Sequence, residues 1–185
     1  SALLKIRGTL SQALRFAVKR EDIARNVAAD ATIPAAAPRT KERTALSPAQ
    51  ARTLLDALRA ERNGAMFGLS LRLGLRPGEA AGLHWSDIGA DAVNVTRAVR
   101  LTKGRAQVVD DLKTSRAKRT IALTPDLVDW LAEHRKMQAA ERLAATSWVD
   151  DHLAFATPTG HVTDPANNRR QLKAVCERLE TDRAE

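Results

Sequence analysis

Arg76 stands between Leu75 and Pro77 in the segment LRLGLRPGEAAGLHWSDI, Leu71 to Ile88, whose residue types and spacing could together hold a phosphate. Proline drives the residue before it out of the helical region, so Arg76 is expected to be extended at the mouth of a helix that Pro77 opens. The guanidinium and the first amides of that helix then face one space, which suits a tetrahedral anion. Glu79 falls in the first turn, where the helix dipole favours a carboxylate and where it can brace a guanidinium. An isolated Arg-Pro-Gly-Glu is also an ordinary helix-to-helix turn, so the segment has to be weighed with its surroundings.

Those surroundings are basic. Arg97, Arg100, Lys103, Arg105, Lys113, Arg116, Lys118 and Arg119 face only Asp110 and Asp111 over the same stretch. Such a run is either a solvated face or a surface that tracks phosphates. A second basic group, Arg169, Arg170 and Lys173 with Asn167 and Asn168, falls on a late helical pattern that could lie along a groove and meet backbone and base edges. Over the 185 residues, 30 Lys and Arg against 22 Asp and Glu give a formal charge of +8. A polyanion is therefore a plausible partner, although charge alone does not choose between DNA, RNA and a membrane surface.

Other chemistries find less support. His84, His134, His152 and His161 have no metal-ligand spacing, and Cys176 is the single cysteine, so neither a disulfide nor a cysteine-based zinc site can form within the chain. No metal and no cofactor is expected. Trp85, Trp130 and Trp148 read as core or hinge packing, and Cys176 as an inert thiol on a helix. No apolar run is long enough to span a bilayer, and no signal-peptide pattern opens the chain, so the expected setting is the cytoplasm.

The positioning elements follow from periodicity and punctuation. Leu3, Ile6, Leu10, Ala13, Leu14 and Ala17 predict an amphipathic helix from about Ala2 to Lys19, followed by a short one around Ile23 to Ala29. Two helices cannot bury so wide a stripe, so residues 1–33 read as the end of an incomplete helical domain. Residues 34–46, rich in proline, alanine and basic residues, read as a linker. Ser47, Pro48 and Gln50 form an N-cap, first-position proline and capping box that open a second domain, 47–185. A helix over roughly Ala65 to Leu73 should close at Gly74, just before Arg76.

Three strands are predicted near Ala92 to Arg100, Gln107 to Asp110 and Arg119 to Ala122, making a small antiparallel sheet. Thr124-Pro125-Asp126 opens a helix through Leu131, and a separate helix is expected from Met137 to Leu143. A short apolar run, Leu153 to Ala156, a turn at Thr157 to Gly160 and a last helix from about Asp164 complete an α+β chain that is mainly α-helical.

Gly74-Leu75-Arg76, Gly78-Glu79, Leu83, Trp85 and Asp87 together resemble the first arginine motif of the tyrosine recombinase, or phage integrase, family. DLKTSRAKRTIALTP, Asp111 to Pro125, resembles that family's hairpin with the catalytic lysine, and it puts Lys113 in that place. LSQALRFAVKREDIARNVA resembles the end of the core-binding domain and ALSPAQARTLLDAL the start of the catalytic domain, while FATPTGHVTDPANNRRQLKAVCERL resembles the strand, turn and helix before the second motif. Val27 departs from the family, where many members have proline.

The resemblance implies an integrase-type catalytic domain with a three-stranded sheet, preceded by the terminal helices of the core-binding domain. It implies that Arg76 stabilises charge on non-bridging phosphate oxygens, that Lys113 protonates the 5′ oxygen leaving group, and that Glu79 supports them. It also implies that Arg97, Arg100, Lys103, Arg105, Arg116, Lys118 and Arg119, with Asn168, Arg169, Arg170 and Lys173, contact DNA. The partner is a double-stranded attachment or core site, cut and rejoined through a phosphotyrosine by a homotetramer without metal or ATP, in a bacterial host or encoded by a prophage.

The sequence contains no tyrosine. Three residues after the four histidines come Asp87, Met137, Phe155 and Asp164, so the second arginine motif has no counterpart either. The expectation is a DNA-binding but catalytically incomplete part of a recombinase, with the second motif and nucleophile beyond Glu185. Two alternatives stay open: a naturally truncated relative that occupies DNA sites without cutting, and a basic helical adaptor or RNA-associated protein.

Overall fold

A computed structural model describes residues 2–32, 45–110, 118–150 and 152–181. Its backbone contacts separate two compact units, Ser1–Ala45 and Leu46–Glu185. The predicted linker falls largely on residues outside the described ones.

In the first unit, α1 (Ala2–Lys19) turns at Glu21, where φ is +64°, and leads to α2 (Val27–Asp30). This second helix starts four residues later than expected because Asn26 caps it. Asn26 Oδ1 accepts from the Ala28 amide at 3.2 Å, while its Nδ2 donates to the backbone oxygen and the hydroxyl of Ser11 on α1. Four residues cannot cover the apolar stripe of α1, and Leu3, Ile6, Leu10 and Phe16 all stay exposed.

The second unit opens as expected. Ser47 and Gln50 close a reciprocal capping box at the start of α3 (Pro48–Leu58), and α4 (Gly64–Leu73) ends at Gly74 with φ +66°. Only glycine enters that left-handed region without strain. α5 (Pro77–Ala81) and a 3-10 turn (Trp85–Asp87) follow, then β1 (Ala92–Val95), β2 (Ala98–Thr102), β3 (Arg105–Val109), β4 (Arg119–Ala122), α6 (Pro125–Ala144) and α7 (Pro165–Thr181).

The strands depart from the three-stranded expectation. Among the described residues, four strands form two antiparallel ladders: β1 pairs with β4, Val93 opposite Ile121, and β2 pairs with β3, Arg100 opposite Gln107. The predicted first strand is two strands because Thr96 and Arg97 both turn toward buried Asp87, which interrupts the ladder between Val95 and Ala98. A two-residue turn with positive φ at Lys103 and Gly104 closes the β2–β3 hairpin.

The two helices expected after Thr124 are one. Nothing between Leu131 and Met137 breaks a helix, and the inward face of α6 carries polar work that a periodicity count misses. His134 Nε2 lies 2.9 Å from the Ala154 carbonyl, and Gln138 Nε2 donates to the carbonyls of Leu153 and Ala154. The buried segment 153–156 joins only isolated bridges, at Leu153 to His84 and at Ala156 to Val162, so these side chains supply partners for its backbone.

Leu58, Met66, Leu69, Leu83, Leu127 and Phe155 fill the core. Gly68 makes room in α4 for the indole of Trp130, since a β-carbon there would lie 2.4 Å from the ring. No helix among the described residues is long and apolar enough to cross a membrane.

Candidate active site

The sequence around Arg76 folds as its local chemistry dictates. Gly74 ends α4, Arg76 is extended (φ −66°, ψ 147°), and Pro77 begins α5. The Arg76 amide donates to Glu79 Oε2 at 2.9 Å, and its guanidinium Nη1 donates to Glu79 Oε1 at 3.0 Å. The Arg76 side chain is nonetheless 77% exposed, whereas Glu79 is 2% exposed. A buried carboxylate thus anchors the base of a guanidinium whose outer edge faces solvent.

One expectation changes here. α5 has only five residues, too few for a strong dipole, and Glu79 occupies the Arg76 amide. An anion at this position would meet mainly the guanidinium.

Arg119 completes the arrangement from the first position of β4. Its Nη2 donates to Glu79 Oε2 at 2.8 Å and its Nη1 to Oε1 at 3.3 Å. Burial alone would raise the Glu79 pKa, but the hydrogen bonds from Arg119 and from the Arg76 amide, with the charge of Arg119, outweigh it and hold the carboxyl below its ordinary value. The same hydrogen bond, opposed by burial, raises Arg119. Arg119, expected at the DNA surface, therefore spends its guanidinium on Glu79, with one third of its side chain exposed.

The 3-10 turn repeats the device. Asp87 is buried; its Oδ2 accepts from the His84 amide at 2.9 Å and from Arg97 Nη1 at 3.1 Å. Arg97 Nε donates in turn to Asp110 Oδ1 at 3.1 Å. Arg97, expected at an open phosphate-facing surface, has 19% of its side chain exposed and two carboxylates in contact. The spacing was available in the sequence: Ser47 with Gln50, Arg76 with Glu79 and His84 with Asp87 each pair a backbone amide with a side chain three residues on. The destination of Arg97 was not.

Lys113 and Arg116 lie outside the described residues. Lys103 and Arg105 are exposed at the tip of the β2–β3 hairpin, Arg100 is half-buried on β2, and Lys118 is exposed beside Arg119. On α7, Arg169, Arg170 and Lys173 are exposed, Arg170 donating to Asn167 and Lys173 pairing with Glu177. Asn168 corrects the expectation for that helix. It is 3% exposed and its Nδ2 donates to Thr163 Oγ1 at 3.2 Å, because position 168 falls on the buried stripe with Leu172 and Val175.

Among the described residues, the remaining titratable groups are not assembled into a second centre. His84 stacks on His152 with ring centroids 6.0 Å apart, and its buried Nε2 has no hydrogen-bond partner among the described residues. Burial, and then the charges of Glu180 and Glu177, push the Cys176 thiol up, so it is a poor nucleophile at neutral pH.

No family model matches the chain. Curated proteins that do match include an integrase of Streptomyces ambofaciens, 29% identical over 177 residues, which covers 93% of this chain and 45% of that protein, and a XerC-like tyrosine recombinase of Caldanaerobacter subterraneus subsp. tengcongensis, 29% identical over 148 residues, 71% of this chain and 37% of that protein. The chain thus spans less than half the length of these relatives. Among solved structures, the Tn1549 transposon integrase in complex with a circular intermediate DNA has the same fold, with a TM-score of 0.77 and 16% identity over 98% of this chain and 59% of that one. A lambda integrase tetramer bound to a Holliday junction follows at 0.54 and 18% identity, over 92% and 45%. The chain is thus similar in sequence to an integrase and to a tyrosine recombinase, and it shares the fold of solved integrases.

Proposed function

We propose that the intact protein performs site-specific DNA recombination or integration by cutting and rejoining strands through a phosphotyrosine intermediate. Arg76, held by Glu79 yet open to solvent, is the observation that carries this reading. Its guanidinium stabilises charge on the non-bridging oxygens of the scissile phosphate, where a preorganised donor acts without reorganisation cost. Lys113 protonates the 5′ oxygen as it leaves. Residues 1–33 are the end of a core-binding domain, 34–46 the linker and 47–185 the catalytic domain.

Lys103, Arg105, Lys118, Arg169, Arg170 and Lys173 supply phosphate contacts around an attachment or core site, with Arg100 and Arg116 beside them. Four copies act together on DNA, a reading supported by the structure of a lambda integrase tetramer bound to a Holliday junction.

Arg76→Ala, made in the protein expressed from its complete reading frame, tests the assignment. Covalent capture of DNA should fall by about 100-fold or more, the scale for losing one transition-state donor. Affinity for uncut DNA should change only severalfold. Equal losses in cleavage and affinity would show that Arg76 acts as a binding residue.

A second reading rests on a specific observation. No tyrosine occurs in the 185 residues. A chain limited to them binds DNA without forming the covalent link, and so acts as a non-catalytic occupant of recombination sites. Covalent DNA adducts of the expressed native protein would exclude it.

A further inference from the structure

Arg97 links the arginine motif to a neighbouring hairpin. Its two guanidinium edges meet Asp87, buried in the 3-10 turn after α5, and Asp110, which directly follows β3 and is 86% exposed. The same hairpin approaches α5 closely at two glycines. A β-carbon on Gly78 would lie 2.7 Å from the Val99 carbonyl oxygen, and one on Gly82 would lie 2.9 Å from Ala98. The helix that follows Arg76 therefore lies close against the β2 backbone at these two glycines, and the ion-pair relay ties down the far end of β3.

We propose that Arg97 is a positioning residue that makes the β2–β3 hairpin and the Arg76 segment one rigid surface, fixing the hairpin-tip cations Lys103 and Arg105 relative to the Arg76 guanidinium. The value of this rigidity rests on the DNA reading above. A duplex presents phosphates at fixed spacing, and cations held at fixed separation bind it without losing side-chain and loop freedom on contact. The relay also accounts for a guanidinium in this basic stretch being turned inward. Asp87, once buried, needs a charged donor, and Arg97 supplies it.

Amide hydrogen exchange on the whole 185-residue chain tests the strut without DNA. Arg97→Met should speed exchange of the β2 and β3 amides by about tenfold or more, as a local opening does, while β1, β4 and α6 keep their protection. Asp110→Asn, which breaks only the exposed arm and cannot leave a buried charge, should loosen the β3 end alone, and Arg97→Lys should restore part of the protection. Unchanged exchange in Arg97→Met and Asp110→Asn, or faster exchange spread evenly over the unit in both, would overturn the proposal.

Duplex DNA then reads out the consequence. Removing Lys103 and Arg105 together should lower the slope of log affinity against log salt by about 2 in the native background, and by clearly less when Arg97 is Met. An equal loss in both backgrounds would show that the hairpin tip is placed without Arg97. No binding of native chain to duplex DNA would overturn the functional reading instead, leaving the strut to be judged by exchange.

Discussion

Arg119 Nη2 lies 2.8 Å from Glu79 Oε2, which makes one buried carboxylate the shared anchor of two arginines from segments 43 positions apart, Arg76 and Arg119. Removing that carboxylate takes away the anchor the two guanidiniums share. Glu79→Ala should cost about 2 kcal/mol, less than a fully buried pair would because both arginines reach solvent. Urea unfolding would measure it, and a change below a few tenths would contradict the anchoring role.

Glu79 also predicts acid sensitivity. Its folded pKa lies below the ordinary value of 4.5, so its contribution is full above that value and is lost as pH falls through the folded pKa. Glu79→Gln should show a shallower loss of stability below about pH 4.5 than the native chain.

His134 should act at milder pH. Burial first, then the charge of Arg62, lowers its pKa from the ordinary 6.5 despite the Ala154 carbonyl, so the folded chain holds it neutral. Its contribution is full above pH 6.5 and is lost as pH falls through the depressed folded value. Denaturation curves of native chain and His134→Gln, which can keep a donor to Ala154, should diverge as pH falls below 6.5, the native chain losing stability faster. Parallel curves would sink this assignment.

Glycine positions separate strain from contact. Gly74→Ala meets no atom within 4 Å but keeps φ +66°, so it should cost about 1 kcal/mol of conformational strain. Gly78→Ala meets the Val99 carbonyl, and it should push β2 away from α5 and cost about 1–3 kcal/mol as overpacking does. Hydrogen exchange in β2 should rise for the second variant alone.

Two neighbours on α7 should part company. Asn168→Ala removes a buried hydrogen bond to Thr163 and should lower stability by about 1–2 kcal/mol with the salt dependence of DNA binding unchanged. Arg169→Ala should leave the melting temperature alone and reduce the salt slope by about 1 if it meets a phosphate.

Local punctuation was legible in the sequence: Ser47-Pro48, Gly74 and Pro77 place helix ends because caps and prolines act over three or four residues. The mainly helical α+β class and the motif at Arg76 to Asp87 followed from the same short-range rules and from resemblance. Side-chain destinations across the fold did not. Whether Arg97 or Arg119 faces a partner phosphate or a buried carboxylate depends on Asp87 and Glu79 being near in space, which a run of cations does not encode. Asn168 was misjudged because its helix carries basic residues on both sides of a narrow buried stripe. The α6 helix looked like two because His134 and Gln138, polar in the sequence, face inward to serve the backbone of 153–156.

Anisotropy of the 185-residue chain on labelled duplex DNA, titrated across salt, tests the central reading most directly. Binding is expected in low salt and should weaken steeply and log-linearly as salt rises, with a slope of several phosphate contacts and a clear preference over uncharged polymer. Absence of binding in low salt, or an affinity indifferent to a severalfold rise in salt, would contradict it.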